Sequence, residues 1–282
     1  MMVPTFRDLA VFFDSSEKGL AVLGHAARLA GQHDAHLIGV TSAPRDQAHA
    51  AEGYSKGAAM ADVILARSAF EATYSLHAGR AVATQAEANK VTSELRFITY
   101  SETREEATLH TLYTDLVVVG HPKAFGAPMT WNSDRVVSLN STPLLLLPDH
   151  YEGVSLGARV LVAWNGSRAA RRSIADAMPI LAHADQVELL IVDPKPNKFS
   201  LEEEPGADVA TYLGRHGAAV EVNRISADGS AVVDVIMNRA VEGKFDLIVL
   251  GAYSRSRMSE ILFGGTTRSF LESVPLPLFL SH

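Results

Sequence analysis

Short runs that are apolar on successive residues recur along the chain, separated by stretches in which apolar residues return every three or four positions. The runs fit strands buried on both faces, and the intervening periodicity fits helices packed against them. In the second half the pattern predicts a strand over Leu161–Trp164, a helix over Arg168–His183 started by Ser167 as N-cap, and a strand over Val187–Val192. A Pro- and Glu-rich connection, Pro194–Pro205, leads to a helix over Ala207–His216, which Gly217 ends, and then to a strand over Val220–Ile225. Asp228, Gly229 and Ser230 precede a helix over Ala231–Glu242. Leu247–Leu250 is the fourth strand, and one more helix precedes a short fifth strand, Leu276–Leu280. Strict alternation of strand and helix predicts a doubly wound parallel sheet covered on both faces.

The chain also matches itself. Leu9–Ser16 (LAVFFDSS) corresponds to Leu161–Ser167 (LVAWNGS), His36–Thr41 (HLIGVT) to Glu188–Asp193 (ELLIVD), Thr114–Gly120 (TDLVVVG) to Phe245–Gly251 (FDLIVLG), and Ser141–Pro148 to Ser273–Ser281. Four landmarks in one order predict two tandem α/β domains, residues 1–150 and 151–282, each a five-stranded parallel sheet of Rossmann-like type with strand order 3-2-1-4-5. The linker is Asp149–Gly157, short and polar. The first half departs over Pro44–Ala88, an Ala-rich stretch interrupted by Gly53, Gly57 and Gly79, which predicts a lengthened second helix serving as a solvated cover. Leu144–Leu147 and Leu276–Leu280 each end a sheet, so antiparallel pairing between them would cover both apolar edges and make an internal pseudo-dimer. Pro277 must then keep its nitrogen out of that ladder. A homodimer through other faces stays open.

Composition narrows the function. Of 282 residues 47% are hydrophobic and 20% charged, enough apolar material for a core and too little charge for disorder. Residues 1–150 hold 12 Lys+Arg against 16 Asp+Glu, and residues 151–282 hold 13 against 16, so −4 and −3 make up the net −7. Neither half has a basic excess to favour nucleic acid or anionic lipid. Cysteine is absent, which removes disulfides, thiolate metal sites and thiol nucleophiles. No apolar run reaches membrane-spanning length and the N-terminus lacks a signal-like apolar segment, so a soluble cytoplasmic protein is expected.

Ligands of open doubly wound sheets bind beyond the strands' carboxyl ends, where strand order reverses. In the second half that place is flanked by Trp164-Asn165-Gly166 and Gly251-Ala252-Tyr253-Ser254. After the fourth strand, Gly251 and Ser254 are followed by an interval and then by Gly264-Gly265-Thr266-Thr267 opening a helix. Glycines let backbone approach an anion, and amides at a helix start favour negative charge. Arg255 adds a cation and Thr266 a hydroxyl.

This spacing in a five-stranded domain resembles the universal stress protein family, and the whole chain is similar to its tandem members. The resemblance implies ATP or another adenine nucleotide, with or without Mg²⁺, bound in the second half. It implies contacts from Ala163 and Asn165 after strand one, Val192 at the end of strand two, and Gly251, Ser254, Gly264, Gly265 and Thr266 in the loop, and Trp164, Ala252 and Arg255 join the candidate nucleotide-binding set by their place at the same strand ends. Three residues depart from the family pattern: Ser254 stands at a glycine position, Gly265 at a Ser/Thr position, and Asn165 replaces an acidic residue. In the first half Pro122, a misplaced Gly126 and Trp131-Asn132-Ser133 break the motif, while Asp14 keeps the acidic position. The first site is expected to be degenerate and empty.

Other chemistry finds little support. His33 and His36 lack a third ligand partner in the pattern, and Ser15, Ser16 and Ser167 read as helix caps rather than nucleophiles. No phosphate-loop motif and no Gly-x-Gly-x2-Gly follows strand one. Glu202–Glu204 reads as a solvated helix start. The reading is therefore a stress-response regulator that binds an adenine nucleotide and alters a surface read by an unknown protein partner. Two alternatives are a slow ATP hydrolase or related nucleotide-cleaving enzyme, for which Asp193 and the acids near Glu202 are the only candidates for base or Mg²⁺ ligand, and an interaction module with both sites empty.

Overall fold

The computed structural model describes residues 4–44, 58–98, 109–127, 136, 142–149, 151–153, 155–194, 204–252, 269–270 and 276–281. The chain divides into two compact units, Arg7–Asn140 and Ser141–His282, the second including Met1–Phe6.

In the first unit the order is β1 (Asp8–Phe12), α1 (Glu17–His33), β2 (His36–Ser42), α2 (Ala58–Asn89), β3 (Ser93–Ile98) and β4 (Leu116–Gly120). Its parallel sheet runs β3-β2-β1-β4, with Ala10 paired to Ile38 on one side and to Val117 on the other. Helix α1 starts where Ser16 accepts from the Gly19 amide, and it turns Val22, Leu23, Ala26, Leu29 and Ala30 into the core. That stripe follows the 3.6-residue period. The chain leaves α1 through Asp34, in the left-handed conformation.

The second unit contains β5 (Leu144–Leu147), β6 (Arg159–Ala163), α3 (Arg168–Asp176), α4 (Met178–Leu181), β7 (Gln186–Val192), α5 (Ala207–Arg215), β8 (Val220–Ile225), α6 (Val232–Glu242), β9 (Leu247–Gly251) and β10 (Leu278–Ser281). The parallel strands run β8-β7-β6-β9-β10, which is the expected 3-2-1-4-5 order. Strand β5 is antiparallel to β10, with Leu146 opposite Leu278, Leu145 opposite Phe279 and Leu144 opposite Leu280. This pairing is why β5, the last strand of the first sequence repeat, belongs to the second compact unit. Pro277 stands just before β10 and contributes only its carbonyl, which accepts from the Ile248 amide at 3.0 Å.

The helix expected over Arg168–His183 is two helices. Proline at position 179 has no N–H to donate and its ring crowds the carbonyl four residues earlier, so the chain breaks at Ala177 and restarts with Pro179 in the first turn of α4. The long helix expected in the first half is present as α2.

One anchoring device recurs in both repeats. Asp115, just before β4, accepts from the amides of Arg7 and Asp8 at 2.6 and 3.1 Å. Asp246, just before β9, accepts from Gly157, Ala158 and Arg159 at 3.1, 3.1 and 3.0 Å. Each aspartate ties the start of the fourth strand of its repeat to the start of the first. The second sheet also buries one charge. Glu188 on β7 is 2% exposed and takes a two-pronged ion pair from Arg239 of α6, at 2.7 and 2.5 Å, plus a hydrogen bond from Asn223 at 3.0 Å. Burial is the largest influence on this carboxyl and pushes its pKa up. The hydrogen bonds from Arg239 and Asn223, with the positive charges of Arg239 and Arg159, outweigh it and hold the pKa below the ordinary value. Among the described residues no helix is long and apolar enough to cross a membrane.

Candidate functional site

Strand β6 lies between β7 and β9, so the reversal of strand order falls between β6 and β9. Ala163 pairs with Leu190, the Trp164 amide donates to the Leu190 carbonyl at 2.9 Å, and Val162 pairs with Val249. Ala163, Trp164, Asn165, Val192, Gly251 and Ala252 are therefore gathered along the carboxyl edge of three adjacent strands. Asn165 and Gly166 are exposed there, whereas Ala163, Trp164, Val192 and Gly251 are half-buried. Ala252 is buried and its amide is committed to the Ser281 carbonyl at 2.7 Å, so it backs the edge rather than facing solvent.

The polar residue after the first strand has a local task in both repeats. Asn165 Oδ1 accepts from the Ser167 amide at 3.1 Å, and Ser167 Oγ accepts from the Ala170 amide at 3.1 Å, which starts α3. Asp14 Oδ1 accepts in the same way from the Ser16 amide and hydroxyl, and Ser16 Oγ accepts from Gly19 at 3.0 Å. Turn formation alone thus accounts for Asp or Asn at this position. In the second repeat it leaves the Asn165 Nδ2 group as the outward donor.

Gly251 has a packing reason of its own. A Cβ there would stand 2.3 Å from the Ala169 carbonyl carbon and the Ala170 nitrogen, so the first turn of α3 lies directly on the end of β9. This close approach brings the amino end of α3 to the strand-order reversal. One residue at this edge was not singled out from the sequence: Arg168, the first residue of α3, is exposed and has no ion-pair partner among the described residues. Its signal was its place immediately after the capping serine. The neighbouring Arg171 is engaged over the Tyr212 ring at 4.5 Å, and Arg172 pairs with Asp176 at 2.7 Å. Ser254, Arg255, Gly264, Gly265 and Thr266 lie outside the described residues, as do Trp131, Asn132 and Ser133 of the first repeat.

The corresponding place in the first repeat is taken up by the chain itself. After β4 the segment through Ala124 and Phe125 turns back, and both are buried. The Phe125 ring covers Gly120, where a Cβ would meet it at 2.7 Å. Gly126, at φ +76°, seats its backbone on the end of β1, where a Cβ would be 1.7 Å from the Phe13 carbonyl oxygen. The same Cβ would lie 3.0 Å from Thr41 Oγ1, a fully buried hydroxyl without a hydrogen-bond partner among the described residues. Tyr74 of α2 adds a further closure, its hydroxyl accepting from the Ser15 amide at 3.2 Å.

Residues 158–282 match the model of the universal stress protein family. That half is similar to universal stress protein domains. Over the whole chain the structure is similar to a universal stress protein from Archaeoglobus fulgidus, at 18% identity and a TM-score of 0.64, covering 97% of this chain and 97% of that one. It is also similar to a putative universal stress protein from Pseudomonas aeruginosa UCBPP-PA14, at 15% identity and a TM-score of 0.58, covering 98% of this chain and 93% of that one. A functionally unknown protein from Pseudomonas aeruginosa PAO1 matches at 16% identity and a TM-score of 0.58, covering 98% of this chain and 92% of that one. At these identities the likeness establishes the fold alone: both halves are α/β units built on a mainly parallel sheet. No curated protein matches the sequence.

Proposed function

We propose that the protein is a stress-response regulator that binds ATP or another adenine nucleotide in its second half, at the carboxyl edge of β6, β7 and β9, with the first half carrying a closed relic of the same site. The observation that carries this reading is the contrast between the two reversals. In the first repeat Phe125 and Gly126 fill the place, whereas in the second Asn165 and Gly166 face solvent beside the amino end of α3. Arg168 adds support, because a cation in the first turn opposes the helix dipole and a bound anion offsets that repulsion. The loop residues Ser254, Arg255, Gly264, Gly265 and Thr266 complete the site in this reading, with phosphate against the glycines and the Asn165 amide donating toward the base or ribose. Occupancy then alters a surface read by a protein partner. No side chain is assigned to activate water, so nucleotide turnover stays far below 1 s⁻¹, near the lower end of ordinary enzymes. The cysteine-free composition suits a cytoplasmic setting.

Calorimetric titration of ATP, with and without Mg²⁺, into wild type, Gly264→Val and Arg168→Glu tests the reading. One nucleotide per chain with a Kd in the micromolar range, about −8 kcal/mol, is expected, with loss in Gly264→Val and a salt-sensitive weakening in Arg168→Glu. Equal affinity in all three proteins, two nucleotides per chain, or no binding refutes it.

A further inference from the structure

The carboxyl-terminal part of α2 is held by Ala78, Val82 and Ala86, which are buried, but no described side chain between Met60 and His77 is. Turned about 110° round the helix from those anchors runs a stripe of exposed residues, Ala61, Leu65, Ala69, Ala72, Leu76 and Arg80. At 100° per residue they fall within an arc of about 100° and extend over about 28 Å of helix. Leu65 is 68% and Leu76 64% exposed, unusual for two leucines on one face of a helix. A purely solvated cover, as the sequence pattern suggested, has no need of them.

We propose that this face of α2 docks on the same face of a second copy of the chain, the two helices running antiparallel about a two-fold axis that passes between Phe70 and Glu71. The spacing along the stripe, four, four, three, four, four, reads the same from either end. Under that axis Ala69 falls opposite the partner's Ala72 and Leu65 opposite the partner's Leu76. Two small residues at the centre let the helix backbones approach, and the leucines on either side fill the space beyond them. This is the self-complementarity that an isologous two-fold interface demands. Charge agrees with it. Arg80, at one end of the stripe, and Asp62, beside Ala61 at the other, make no ion pair among the described residues, and the antiparallel arrangement, with Arg80 opposite the partner's Ala61, brings each within reach of the other on the partner. A parallel arrangement would instead set like charges together. A helix pair of this length buries on the order of 500 Å² per chain, toward the small end of specific interfaces, which makes the association reversible rather than obligate.

Sedimentation equilibrium of the full chain at about 100 µM is expected to show a species of twice 30.3 kDa. Leu65→Glu combined with Leu76→Glu, both on exposed positions and with an unchanged circular dichroism spectrum, is expected to weaken association at least tenfold. Asp62→Arg or Arg80→Asp alone should weaken it, and the two together should restore it. Because the chain has no cysteine, Ala69→Cys and Ala72→Cys give a clean test of register. Under oxidised glutathione a mixture of the two single variants should crosslink faster than either alone. A chain that stays monomeric at that concentration, a dimer untouched by the leucine substitutions, or Ala69→Cys crosslinking to itself as fast as the mixture overturns the proposal.

Discussion

Replacing Arg239 by Met leaves Glu188 buried with only the Asn223 amide as a partner, since both prongs of the ion pair come from Arg239. Met keeps most of the aliphatic volume of Arg, so the perturbation is chiefly electrostatic. An unpaired buried carboxylate costs about 3–5 kcal/mol. The chain has a cheaper route, which is to protonate Glu188. Measured from an ordinary carboxyl pKa of 4.5, that route costs about 3.4 kcal/mol at pH 7 and about 0.8 kcal/mol at pH 5. In the wild type the carboxyl is depressed on folding, so its stabilising contribution is fully present above the ordinary value and is lost as pH falls through the folded value. Arg239→Met removes two of the four influences that oppose burial and leaves only the Asn223 hydrogen bond and the Arg159 charge, so the carboxyl is expected to rise and the destabilisation to grow as pH rises above 4.5. The deficit of the variant is thus expected to be about 3 kcal/mol at pH 7 and to shrink markedly by pH 5. Urea unfolding followed by Trp164 fluorescence in a Trp131→Phe background reports on the compact unit that contains Glu188. Glu188→Gln combined with Arg239→Met should remove most of the pH dependence of the deficit. A deficit below about 1 kcal/mol at pH 7, or one of equal size at both pH values, refutes the reasoning.

Gly126→Ala should unfold or severely weaken the first unit, by more than about 2 kcal/mol, because the new Cβ meets the Phe13 carbonyl and the residue holds φ +76°. Trp131 fluorescence in a Trp164→Phe background reads that loss, and a transition unchanged within error contradicts the close approach. Asp246→Ala strands the amides of Gly157, Ala158 and Arg159 and is expected to cost about 2–4 kcal/mol in urea unfolding, with Asp246→Asn recovering part of it. Equal stability of the Ala and wild-type proteins counts against the anchoring role.

The sheet was legible because its strands are apolar on every residue, as in Leu116–Gly120 and Leu247–Gly251, a pattern few other elements produce. Antiparallel pairing at Leu144–Leu147 followed from the same runs, since two apolar edges leave few alternatives. The break in the first helix of the second half was missed although Pro179 is in plain view, because the apolar period continues through Met178, Ile180 and Leu181 and masks it. The closure of the first reversal was harder to read. Gly126 stood out as misplaced, but its purpose is an approach to Phe13, more than a hundred residues away in sequence, which no local pattern announces. The exposed leucines of α2 were hidden among alanines, which suit both an exposed and a packed helix face.

Glycine at the end of a fourth strand needs separate weighing from the motif in which it stands. Gly251 and Gly120 occupy the same place in the two repeats, and in both a Cβ would collide with the protein itself: with the first turn of α3 at 2.3 Å in one, with the Phe125 ring at 2.7 Å in the other. A glycine that packing already requires adds nothing to the case for a phosphate. Asp14 and Asn165 likewise begin their helices by accepting from a serine two residues on, whether or not a ligand is near. What separates the repeats is what happens next to those shared residues. In the first, Phe125 and Gly126 convert the strand-order reversal into core; in the second, Asn165, Gly166 and Arg168 keep their side of it in solvent, with a cation that makes no ion pair among the described residues where the helix dipole disfavours one. A ligand at the second reversal is therefore supported by the residues that differ between the halves, and Arg168, which packs against no described partner that requires its charge, is the one whose charge reversal bears on it most directly.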